Sequence, residues 1–200
     1  MIPHGSLSIE RKLVPWSKAG SDGSDGYWAV AAVGVLAGIA VTYARTPIHL
    51  PGHKALWWMV PVLATRLATR TSGGAMAGAL ATALTTLCLG GRLAGGVALM
   101  PLLIAGGFVL DVAARISQQR HLSPLHRALL FALAGAIANS ICFGKRVADP
   151  VGAFSSTMNV KDLLTAAGSH ALFGLIAGLL GAGVGYTLAR KIHEGQCSRK

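Results

Sequence analysis

Acid is scarce in this chain. Asp and Glu number 7 among 200 residues, against 18 Lys and Arg, and the net charge is +11. Charged residues of both signs reach only 12%, about half the share of a soluble domain, so most of the surface cannot be an ordinary water-facing one. Cysteine is also rare. Three residues without paired spacing exclude a disulfide framework and a zinc motif. Cys88 and Cys142 fall in apolar segments and read as small core residues; Cys197, in a basic stretch, reads as a free thiol or an acylation site. A phosphate loop of the Gly-x-x-x-x-Gly-Lys type is missing, so any ATP hydrolysis coupled to this chain belongs to another one. The first 26 residues are polar, with a Gly-Ser-Asp-Gly-Ser-Asp-Gly run, and lack the early apolar core of a secretory signal.

What is abundant is apolar sequence, 52% of residues, together with 26 glycines. Uncharged stretches run over Tyr27–Ala44, Thr71–Gly91, Leu93–Leu110, Ala128–Gly144 and Leu163–Ala189, with a weaker one at Ala55–Thr65. A helix crossing a bilayer core needs roughly 20 apolar residues, and about 17 at least. Five stretches reach or approach that length, so the expected fold class is an all-α, polytopic membrane helix bundle of about six spans. The expected organisation is a disordered cytoplasmic tail over 1–26, the bundle over 27–190 and a basic cytoplasmic tail over 191–200. Glycine in such a bundle reads as close helix packing.

Charge sets the expected orientation. With both ends inside, twelve of the 18 Lys and Arg residues fall on the inner side and six on the outer, as the positive-inside rule favours. This placement at span ends points to anionic lipid and topology, not to nucleic acid. Ala55–Thr65 is too short to span unless Arg66 snorkels or faces a polar cavity, and Pro61 can kink it. The Gly90-Gly91-Arg92 run reads as a tight hairpin between the third and fourth spans. Thr46–His53 and Lys145–Asn159 read as the longer outer loops, and Asn159 with Asp162 suits the start of the last helix.

The sharpest local motif is Arg45-Thr-Pro-Ile-His49-Leu-Pro-Gly-His53-Lys54, a loop stiffened by proline and glycine. His170 begins the last span near the same face. These imidazoles can contact an organic ligand, serve a metal with help from Met158, or simply meet water and backbone. Trp57 and Trp58 diverge by about 100° on a helix, so one can face lipid while the other meets a planar ligand. Asn139 is an amide inside an apolar span and requires a partner. Asp111 and Arg115 are one helical turn apart and read as a structural pair. Gly34, Gly38, Ala40 and Ala44 form a small-residue ladder on the first helix, suited to internal packing or to docking a partner. An enzyme is not expected. The six spans and the His170-containing last helix superficially resemble a rhomboid protease, but Leu93–Leu110 contains no serine for its Gly-x-Ser-Gly nucleophile motif.

Size, inferred topology, the first-helix ladder and the loop from Arg45 to Lys54 resemble the substrate-binding S component of energy-coupling factor transporters, over about residues 27–190. The resemblance implies a solute-binding subunit of an uptake system in a bacterial inner membrane. It would capture a small molecule under outer loops and rely on a membrane coupling subunit and separate ATPases. The expected pocket is lined by His49, His53, Trp57, Asn139, Asn159 and His170, and the docking face by Gly34, Gly38, Ala40 and Ala44. The metal-binding branch of that family starts Met-His; Met1-Ile-Pro-His4 departs from it, which favours a vitamin-like ligand over a metal ion. No metal site and no cofactor are expected. The alternative is a non-catalytic structural or assembly subunit of a larger membrane complex, using the same small-residue faces for packing.

Overall fold

The computed structural model describes residues 23–44, 50–90, 99–120, 122–148 and 160–197. These residues form six helices and no strands: α1 (Gly23–Tyr43), α2 (Ala55–Thr69), α3 (Gly74–Cys88), α4 (Leu99–Gln119), α5 (Pro124–Ala148) and α6 (Val160–Cys197). Four of them, α1, α4, α5 and α6, are long and apolar enough to cross a membrane. By length and composition the chain is therefore an integral membrane protein. α2 and α3 have 15 residues each, about 22 Å of helix, short of a hydrocarbon core. The fourth apolar stretch becomes described helix only from Leu99, and the expected hairpin residues Gly91 and Arg92 lie outside the described residues. α6 continues through Cys197, into the stretch expected to be a basic tail.

The helices alternate in direction between two ends. At one end the Tyr27 hydroxyl of α1 donates to the Ser72 carbonyl in the α2–α3 turn, and Tyr186 of α6 donates to Ser117 of α4 at 2.9 Å. At the other end the turn before α2 meets α5 and α6. Around the bundle the neighbours are α1, α3, α4, α5, α6 and α2, with α2 returning to α1 and also touching α3. Short as it is, α2 buries Trp58, Met59, Val62, Leu63, Arg66 and Leu67.

Glycine decides how close these helices come. Gly135 of α5 and Gly174 and Gly178 of α6 meet backbone to backbone: a Cβ at Gly178 would strike the Phe131 carbonyl oxygen, and one at Gly174 the Gly135 carbonyl oxygen. Gly34 and Gly38 do the same for α1 against α3. A Cβ on Gly34 would strike the Gly78 carbonyl oxygen, and one on Gly38 would lie 2.7 Å from Thr85 Cβ. Thr82 Oγ1 crosses this seam to the Gly34 carbonyl at 2.9 Å. The Gly34–Gly38 part of the expected docking ladder is thus buried inside the chain, and Ala40 and Ala44 beside it are half-buried.

One ion pair lies in the interior. Arg66 Nε of α2 donates to Asp111 Oδ1 of α4 at 2.7 Å, and Arg66 is 2% exposed. Asp111 also accepts the N–H groups of Ala75 (3.3 Å) and Met76 (2.9 Å) in the first turn of α3. A carboxylate at a helix N-terminus takes up donors that lack intrahelical partners and lies at the positive end of the dipole. This corrects one expectation: Asp111 pairs across helices with Arg66, while Arg115 is exposed. Of the two alternatives for Arg66, snorkelling or facing inward to a polar site, the structure has the inward one. The physical reason is that a dry, multidentate site holds a carboxylate better than one exposed partner a turn away.

Removing one partner strands a buried charge. Arg66→Met or Asp111→Leu alone is expected to lower unfolding stability in detergent by about 3–5 kcal/mol, and the double variant to recover much of that loss. Additive single-variant losses would contradict the pairing.

Candidate functional site at the His53–His170 end

The turn before α2 is built by Pro51 and Gly52. Gly52 has φ +86°, a region that side chains rarely adopt. It also has no room for one: a Cβ there would lie 2.8 Å from His170 Cα and 2.9 Å from His170 Cγ. Glycine therefore lets this turn rest directly on α6. The Gly52 carbonyl accepts the Ala55 N–H at 3.1 Å, starting α2.

Asn139 of α5 fastens the turn. Its Nδ2 donates to the Gly52 carbonyl at 3.2 Å and to the His170 carbonyl at 2.7 Å. One buried amide, 3% exposed, thereby joins α5, α6 and the loop, and both of its N–H groups are satisfied. The two histidines are oriented by backbone. His53 Nδ1 lies 2.7 Å from the Leu50 carbonyl and His170 Nδ1 lies 2.8 Å from the Ala166 carbonyl. A carbonyl only accepts, so each Nδ1 carries a proton and donates it to the backbone. Aromatic neighbours fix the ring planes. His53 meets Phe173 edge-on with centroids 6.3 Å apart, and His170 meets Phe143 at 5.2 Å. The cluster combines aromatic side chains with two backbone-oriented imidazoles, residue types that recur in sites for small organic molecules. Among the described residues no group of three or more His, Cys, Asp or Glu is placed to hold a metal ion.

Of the six nominated pocket residues, His53, Asn139 and His170 come together here. His49 and Asn159 lie outside the described residues. The two tryptophans divide as their helical offset requires, but the inward one is Trp58, at 4% exposure and packed near Gly106; Trp57 is exposed. Phe143, Phe173 and Gly52 were missed. Phe173 follows His170 by three residues and so shares its helix face, a signal present in the sequence. Phe143 is four residues from Asn139 on the same principle. Gly52 could be read as a turn residue, but not as a contact with the last helix.

Comparison with protein-family models, with curated proteins and with solved structures finds no match.

Replacing Asn139 by Leu keeps the volume but leaves the loop without its fastening. The expected outcome is a loss of about 1–3 kcal/mol in unfolding stability, with faster proteolysis in the segment 50–54. Wild-type stability together with wild-type proteolysis would contradict the assigned role.

Proposed function

We propose that this chain is the solute-binding subunit of a membrane uptake transporter, with six membrane-embedded helices and both ends on the cytoplasmic side of a bacterial inner membrane. The single observation that carries the reading is the Pro51-Gly52-His53 turn laid over α5 and α6 and fastened by Asn139. It supports capture of a small molecule at the outer end: the turn lifts by giving up its one side-chain hydrogen bond from Asn139, a modest net cost, and closes again over the ligand. His53 and His170 would supply polar contacts and Phe143 and Phe173 the flat walls, which suits a planar, vitamin-like molecule. His49 and Asn159 remain nominated for the same pocket, and Trp57 for its rim.

The chain would depend on a coupling subunit in the membrane and on separate ATPases. Because α3 covers Gly34 and Gly38, docking on α1 would use Ala40, Ala44 and the exposed side formed by Leu36, Ile39 and Tyr43. A second reading, a non-catalytic structural subunit of a larger membrane complex, is favoured by one observation: Asn139 donates both N–H groups within the chain and needs no ligand. Co-purified partners separate the two readings.

The test is thermal unfolding of the purified protein against vitamins, nucleobases and divalent metal ions. A true ligand at about 100 times its Kd stabilises by about 2.7 kcal/mol, and His53→Ala reduces that shift. No shift with any member of the panel would contradict ligand capture.

A further inference from the structure

At the end opposite the candidate pocket, three helices are tied together around Tyr186. Its hydroxyl donates to Ser117 Oγ of α4 at 2.9 Å, and the Arg127 guanidinium of α5 lies 5.2 Å from its ring centroid. Arg127 Nη2 donates to the Leu122 carbonyl at 3.2 Å, but its Nε is buried with no hydrogen-bond partner. Two further arginines border this node. Arg120 is three residues beyond Ser117, just past the end of α4, and its N–H still bonds the Ile116 carbonyl. Arg190 is one turn beyond Tyr186 on the same face of α6. Both are exposed. The acid beside them is Glu194, in an exposed 3.5 Å contact with Arg190.

Depth gives this cluster its meaning. The membrane-crossing stretch of α4 ends at Gln119 and that of α5 starts at Pro124, while that of α6 runs on to Gly195, so Arg120 and Arg127 stand at the span ends, where hydrocarbon would give way to headgroups, and Arg190 stands in the last two turns of the α6 stretch. The positive end of the α5 dipole points to the same level. A guanidinium fork suits the oxygens of a phosphate, and a cationic patch at this depth attracts anionic lipid. We propose that Arg120, Arg127 and Arg190 form a binding notch for the phosphate of an anionic phospholipid, which supplies the acceptor missing at Arg127 Nε. A lipid held there would clamp α4, α5 and α6 at the end away from the pocket. The proposal rests on the membrane setting of the chain and not on ligand capture.

The test is native mass spectrometry of the full chain in detergent, titrated with phosphatidylglycerol and, separately, phosphatidylcholine. The expected result is retention of phosphatidylglycerol over phosphatidylcholine. Arg127→Gln should weaken it by about fivefold, the value of one basic residue near an anionic surface. Should Arg127→Gln fail to fold, the exposed pair Arg120→Gln with Arg190→Gln provides the same readout, with a larger loss expected. Equal retention of the two lipids would overturn the proposal, as would variants that keep the wild-type preference. Thermal stabilisation by inorganic phosphate without retention of phosphatidylglycerol would overturn the lipid as occupant.

Discussion

In a hydrocarbon surround, a polar group that finds no partner within the chain has no water to fall back on. Three interior polar side chains of this bundle, Asp111, Thr82 and Asn139, answer to that constraint. Asp111 gathers Arg66 and the first N–H groups of α3. Thr82 bridges to Gly34. Asn139 holds two carbonyls from separate segments. Each of these joins helices distant in the sequence, so the groups most costly to bury are the ones that set the arrangement.

Helix contact follows a complementary rule. Without a strong hydrophobic drive between helices in lipid, association depends on close packing, and here it comes from glycines facing carbonyl oxygens across α5–α6 and α1–α3. The α5–α6 seam also shapes one end of the bundle. Gly135 and Gly174 bring the two helices close enough for Asn139 to reach the His170 carbonyl, and the same proximity lets the Gly52 turn span both. Local close approach thus produces the histidine cluster at one end, while Tyr186 joins α4 and α5 to α6 through Ser117 and Arg127 at the other.

Much of this was legible in the primary structure, for identifiable reasons. Helical class and a membrane setting follow from uninterrupted apolar length, which needs no tertiary information. Asn139, His53 and His170 stood out because polar side chains in or beside apolar segments require an explanation. The partner of Asp111 did not. Arg115 is its neighbour on a helix, whereas Arg66 is 45 residues away, and only the joint arrangement of α2, α3 and α4 brings them together. The tryptophan pair shows the same limit: spacing dictates that one of the two turns inward, but which one depends on where α2 meets α4 near Gly106. Likewise Gly34 and Gly38 announce close contact without naming the surface they contact, and that surface is α3 of the same chain.

The central claim is that lipid surrounds this bundle, with the histidine cluster and the arginine node on opposite faces of the membrane. Single cysteines placed at His53 and at Arg120, in a chain whose own three cysteines are replaced, can be labelled with a membrane-impermeant maleimide in intact cells. The account predicts labelling at position 53 from outside, and at position 120 only after the membrane is opened. Equal labelling of both positions in intact cells, or recovery of the chain in the soluble fraction without detergent, would contradict it.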